Sequence, residues 1–371
     1  MKNVYADYNG TSPATHTHLK ELFSLFDGKL LGNASSAHQC GREMRKLRES
    51  TRETISKVFG LNQTDNIFFT SGATESNNTI IQGLKASGDF IFTAGEHASV
   101  CKPIQFRTQT RNEKAIRIPL QTNGLINRDE LIQAVHPDTA FITFMHVNNE
   151  TGCINPVEDL ANEVRKKAPS AHIHVDMVQS WGKLDLSFVA NSQIDSAAIS
   201  GHKVGGISGA GALFLRNPNK VQPLILGGGH EQGFRAGTES MVAITSMGLR
   251  AQYIAANPDW LSHTKTIRAD LAKQFEELGF KIWGSGPNVG NTLRLTVPGK
   301  NIDELMLTLV TEKISVSSGS ACSSGNPLPS HTLLSMGATD WEAAHSLRIS
   351  FGDQSSSTDA QRIYDVLSKL K

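Results

Sequence analysis

The chain has 371 residues, 39% of them apolar and 19% charged, with 36 basic against 35 acidic side chains and a formal net charge of +1. That balance leaves ample material for a large core and argues against nucleic acid or an anionic membrane surface as the main partner. Residues 1–7 carry no leader-like run and no later stretch is long and apolar enough to span a bilayer, so a cytoplasmic protein is expected.

Residues 5–13 and 31–38 read as polar, turn-rich loops that could be plain surface. A helix should follow, capped by Ser36, with Met44, Leu47, Thr51, Ile55 and Val58 on one face and Gly60 as its stop. From Asn66 a strand, loop, helix pattern repeats. The strand at 67–70 feeds Ser71-Gly72-Ala73-Thr74-Glu75-Ser76 into a helix through Leu84. Small residues at a helix start suit an anion, although simple capping explains them too. Strands are expected at 90–93, 116–119, 140–145, 172–176, 197–200 and 212–215, with helices at 128–135, 157–167 and 239–256. Such alternation implies a largely parallel sheet with ligands at the carboxyl ends of its strands, where Thr74, His97, Asn149, Asp176 and Lys203 all fall.

Asn257-Pro258-Asp259 breaks the last of these helices and marks a boundary between a large domain (15–256) and a smaller α+β domain (257–371) completed by residues 1–14. The small domain should hold helices at 261–278, 302–312 and 359–370, with strands near Ile282 and at 292–297, 314–316 and 347–351.

Chemistry concentrates between His174 and Lys203. Asp176 and Gln179 close one strand, and Ser200-Gly201-His202-Lys203 closes its neighbour. Pyridoxal phosphate needs a lysine amine for a Schiff base and an acid that keeps its ring nitrogen protonated. The same residues allow other readings, because His172, His174 and Asp176 share a strand face and with Lys203 could surround a metal. A lone lysine after a strand is by base rate a solvated charge. The glycines at 205–211 precede a strand and do not link a strand to a helix, and the loop at 227–239 lacks a Gly-Lys-Ser/Thr ending, so neither is a nucleotide motif. Cys40, Cys101, Cys153 and Cys322 are too scattered for a disulfide framework or a zinc knuckle. Cys322 lies in a Ser/Gly run suited to an exposed loop, either as a single working thiolate or as an incidental surface thiol.

Eight blocks occur in order: Ser71 to Ser76, Glu96-His97, Asn148 to Gly152, His174-Val175-Asp176 with Gln179-Ser180, Ser200 to Lys203, Arg235-Ala236-Gly237-Thr238, Ser318 to Cys322, and Leu347 to Ser350. In these the chain resembles, over essentially its whole length, the cysteine desulfurases, the NifS/IscS-like branch of the class V, fold-type I pyridoxal phosphate enzymes. The resemblance implies a mostly parallel seven-stranded sheet flanked by helices, plus a smaller α+β domain. It implies that Lys203 holds the cofactor and moves the substrate's α-proton. Asp176 would pair with the pyridine nitrogen, Gln179 with the phenolic oxygen, and His97 would stack on the ring. Ala73, Thr74, Ser200 and His202 would bind at the phosphate, joined by Thr238 of a second subunit, which makes a homodimer. Asn149 and Arg348 would hold the substrate L-cysteine. Cys322 would take its sulfur as a persulfide, releasing L-alanine, and pass it to an acceptor protein, a scaffold or sulfur relay serving iron–sulfur clusters or thiolation. No metal is implied. A selenocysteine lyase or cysteine sulfinate desulfinase would share the whole site, and a class V aminotransferase would need no Cys322. Two stretches depart from the family pattern: Gly10 stands where alanine is usual, and Ile207-Ser208 where Pro-Lys is usual.

Overall fold

The computed structural model describes residues 3–64, 66–318 and 329–370. In chain order come β1 (Val4–Tyr5), α1 (His16–Ser24), α2 (Gln39–Val58), β2 (Ile67–Thr70), α3 (Ala73–Gly83), β3 (Asp89–Thr93), α4 (Ala98–Arg111), β4 (Ala115–Ile118) and α5 (Arg128–Ala134). They are followed by β5 (Thr139–Met145), α6 (Val157–Lys167), β6 (His172–Asp176), β7 (Ser196–Ser200), β8 (Gly211–Leu215), α7 (Met241–Ala256) and α8 (Ser262–Glu277). The last elements are β9 (Lys281–Trp283), β10 (Thr292–Thr296), α9 (Ile302–Thr311), β11 (Ile314–Ser315), β12 (Ser317–Ser318), α10 (His331–Ser335), α11 (Asp340–Ala344), β13 (Ser346–Ser350) and α12 (Ser357–Ser368).

Seven strands form one sheet in the order β2-β8-β7-β6-β5-β3-β4. Strands β3 to β7 pair in parallel, and β8 runs antiparallel to both β7 and β2. Strands β2, β5, β6, β7 and β8 are buried along their whole length because both faces are covered, while the edge strand β4 is largely exposed. Ile67, Phe69, Ile91, Ile142, Phe144, Ile173 and Val175 point into one apolar cluster, while Phe68, Phe90, Phe92, Phe141 and Leu213 point into the other. A third cluster lies around the four-stranded sheet β12-β13-β10-β9 and includes Val4 and Ala6, brought there by the parallel pairing of β1 with β11. Among the described residues no helix is long and apolar enough to cross a membrane.

One local expectation needs correction. Helix α2 is capped not by Ser36 but by His38, whose Nδ1 accepts from the Gly41 amide at 3.2 Å, while the Ser36 carbonyl accepts from Arg45. Gly60, at φ 70°, does end that helix. Helices α1 and α4 were hidden from the apolar pattern. The buried face of α4 is Ser99, Val100, Pro103, Ile104, Arg107 and Thr108, so half of it is polar.

The outer strand β2 is closed by a side chain. Arg52 on α2, 4% exposed, donates to both carboxylate oxygens of Glu231 at 2.8 and 2.7 Å and to the Ile67 carbonyl, and Glu231 accepts from the Phe69 amide at 2.7 Å. Truncating one partner of such a pair leaves an uncompensated buried charge. Arg52→Ala should cost about 3–5 kcal/mol, measured as a lowered urea midpoint with unchanged slope.

Candidate active site

The carboxyl ends of the parallel strands collect the polar groups. Asp176 ends β6, 3% exposed, and accepts from the Val178 amide at 3.0 Å and from Asn77 Nδ2 at 3.0 Å. Glu96, just past β3, is fully buried beside it. Burial first, and then the Asp176 charge, push the Glu96 carboxyl up to about 8, so it holds its proton at neutral pH. His97 caps α4, its Nδ1 accepting from the Ser99 amide at 3.1 Å.

Lys203 follows β7 in a short turn, and its Nζ donates to the carbonyls of Asn9 and Gly10, each at 2.7 Å. The Asn9 carbonyl also accepts from Gln179 Nε2 at 3.1 Å. Asn9 Nδ2 in turn donates to the Asn149 carbonyl at 3.1 Å, and so does Nη1 of Arg348 at 3.2 Å. The other arm of Arg348 donates to Asp7 at 2.7 Å and to Ser317 at 3.2 Å. Lys203, Gln179, Asn149 and Arg348 are thus joined through the opening segment, which the sequence left as a possible surface loop. Asn9 is only 2% exposed. A methyl group at position 10 would collide with the Asp7 carboxylate, so Gly10 lets Asp7 fold back toward Arg348.

At the other end, α3 begins at Ala73 with no side chain capping it. A Cβ on Gly72 would lie 3.8 Å from Ser200 Oγ, and one on Gly211 would lie 2.7 Å from the Gly72 Cα, so bare backbone brings this helix start onto the ends of β7 and β8. An uncapped helix start with its partial positive charge suits a phosphate. The nearby carboxylate of Glu75 is taken up by Arg235 at 2.8 Å. Thr74 is exposed, and His202 meets Thr11 at 3.1 Å. Burial, then Lys203, lower the His202 imidazole to about 4, so it is neutral. Thr238 is exposed, on a segment fastened by Arg235 to Glu75 and by Arg48 to Glu239. Cys322 lies outside the described residues, whose nearest members include Ser317, bonded to Arg348, and Ser330, which donates to Glu150 at 2.6 Å.

The alternating His172 and His174 are engaged with Ser196 and Asn77, and among the described residues no three His, Cys, Asp or Glu gather as metal ligands would. Cys40, Cys101 and Cys153 are free thiols. A buried carboxylate, a carbonyl-held lysine, an imidazole and an uncapped helix start together could hold pyridoxal phosphate. Asn9, Asn77 and Ser99 were missed from sequence, since short amides and hydroxyls carry no periodic signal, and so was Lys183, a lysine outside any motif.

The chain belongs to the class-V aminotransferase family, whose pattern matches residues 4–363. Within that family its relatives are cysteine desulfurases. It is 33% identical over 378 residues to the cysteine desulfurase IscS of Dictyoglomus turgidum, covering 100% of this chain and 94% of the relative. A solved NifS-like protein superposes with a TM-score of 0.90 at 30% identity, over 100% of this chain and 99% of that one. The structure of SspA in complex with cysteine gives 0.81 at 29% identity, over 95% and 100%. Enzymes of this family use pyridoxal phosphate.

Lys183 donates to Gln179 Oε1 at 2.8 Å and faces Asn9 Oδ1 at 3.4 Å. Burial, and then the like charges of Lys203 and Arg348, lower its ammonium from 10.5 to about 7. The unfolded chain keeps that proton up to the higher value. Between these two values the unfolded state therefore binds more protons, and stability rises with pH. Lys183→Met should flatten that rise in urea titrations at pH 7 and 9.

Proposed function

We propose that this chain is a pyridoxal phosphate-dependent cysteine desulfurase that moves the sulfur of L-cysteine onto Cys322 and releases L-alanine. The observation that carries the reading is the polar bridge from Lys203 and Gln179 through Asn9 and Asn149 to Arg348, beside the buried carboxylate of Asp176. The relatives' names and the neighbour bound to cysteine support the substrate.

When bound, pyridoxal phosphate supplies an electron sink for the electrons left at the substrate Cα. Asp176 would accept from the ring nitrogen and hold its proton there, Gln179 would meet the phenolic oxygen, and His97 would cover the ring. Ala73, Thr74, Ser200 and His202 would receive the phosphate, with Thr238 contributed by the second chain of a homodimer. Arg348 grips the α-carboxylate in place of Asp7, and Asn149 orients it. Lys203 takes the α-proton. The Cys322 thiolate then attacks the substrate sulfur, so the carbon–sulfur bond breaks as a sulfur–sulfur bond forms. Cβ gains a proton, alanine leaves, and the persulfide passes to an acceptor protein. The sequence division is kept in this reading, with Asp176 and Lys203 supplied by the large unit and Arg348 by the small one.

Brief exposure to L-cysteine without reductant should add one reducible sulfur to the Cys322 peptide in mass spectra, with alanine formed. Cys322→Ala should keep the yellow colour of the loaded protein while sulfide release falls at least about a thousandfold. Alanine without the adduct would mean direct sulfur release, and neither product would mean a transaminase, read with a keto acid.

A further inference from the structure

Asn77 is fully buried on α3 and its side chain meets two other elements of the site, β6 and α4. Its Nδ2 donates to Asp176 at 3.0 Å and to Ser99 Oγ at 2.9 Å, and its Oδ1 lies 2.9 Å from His174 Nε2. An ionised carboxylate only accepts, so the atom facing Asp176 has to be the amide nitrogen. The rest follows by elimination. Oδ1 accepts, so His174 carries its proton on Nε2, and its bare Nδ1 takes the hydroxyl proton of Ser196 at 2.8 Å. Ser196 in turn accepts from His172 Nε2 at 2.7 Å. On the other branch Ser99, already accepting from Asn77, gives its own proton to His97 Nδ1 at 2.9 Å. The Ser99 main-chain amide points at the same nitrogen and can only donate.

We infer that Asn77 is a positioning residue that couples Asp176 to His97 and, with the start of α4, fixes the His97 ring with its proton on Nε2 and a bare Nδ1. His97 then keeps its proton on Nε2, and removal of the α-proton is left to Lys203. This rests on the pyridoxal phosphate reading above. Burial, which lowers His174 to about 3, keeps that imidazole neutral and the direction of the chain fixed.

Histidine-selective 15N NMR of the unloaded protein tests the proton placement without cofactor or turnover. His97 should show a protonated Nε2 and an acceptor Nδ1, and Ser99→Ala should move the Nδ1 resonance while the proton stays on Nε2. Reloading with pyridoxal phosphate, followed by absorbance, tests the coupling. Asn77→Ala should weaken binding roughly tenfold through the lost donor to a charged group. The Asn77→Ala/Ser99→Ala double variant should bind no more weakly than Asn77→Ala alone, because both act through one network. A proton on His97 Nδ1, or wild-type affinity in Asn77→Ala, would overturn the inference. Failure of the unmodified protein to bind the cofactor would instead strike the underlying reading and leave the NMR test of the network standing.

Discussion

Three basic side chains, Lys183, Lys203 and Arg348, meet around the opening segment, where the Asp7 carboxylate is bonded to Arg348, and the rest of the site is arranged around that crowding. Like charges at such range are costly unless donors find acceptors. The chain answers with uncharged oxygens, the carbonyls of Asn9, Gly10 and Asn149 and the amide oxygen of Gln179. Asn9 uses every polar group it has: its amide on Ser350, its carbonyl on Lys203 and Gln179, and its side chain toward Asn149, Thr292, Lys183 and Asn291. A pocket balanced mainly by neutral dipoles keeps its appetite for anions. The anion a desulfurase would hold there is the substrate's α-carboxylate, the phosphate falling at the start of α3.

Most strands of the large sheet were legible because they are short, largely apolar runs buried along their length, and Asp176 and Lys203 were singled out because they close the adjoining strands β6 and β7. The residues that organise those groups were not. Asn9 and Lys203 lie 194 positions apart, and Arg348 and Asp7 lie 341 apart, distances over which no local pattern carries information. Asn77 reads in sequence as one more polar residue near a helix start, and Lys183 as a solvated charge. Their roles come from what the sheet places opposite them. Helix α4 fails for a related reason, since Arg107 spends its buried side chain on the carbonyls of Ile81, Leu84 and Ala86 and so breaks the apolar stripe. Cys322, expected as a single working thiolate or a surface thiol, lies outside the described residues.

Burial sets the protonation states on which the site depends. His146, His172, His174 and His202 are all held well below the ordinary imidazole range, chiefly by loss of solvent, so they act as fixed donors and acceptors across the neutral range. Glu96 moves the opposite way for the same reason. Beside Asp176, a neutral Glu96 adds no second negative charge, which leaves one carboxylate available to a protonated ring.

Helix α3 ties these requirements to one rigid element. Its start supplies the uncapped amides and, one turn on, Asn77 supplies the donor to Asp176. From Ala73 to Asn77 the helix rises about 6 Å, at 1.5 Å per residue. The uncapped helix start and the donor to the buried acid are therefore held at a fixed spacing, which suits the proposed cofactor, a single ring carrying a phosphate arm. Ile80, Ile81 and Leu84, packed into the apolar cluster under the sheet, stop the helix from sliding. The spacing between the helix start and the donor to Asp176 is thus fixed by apolar packing one to two turns beyond them.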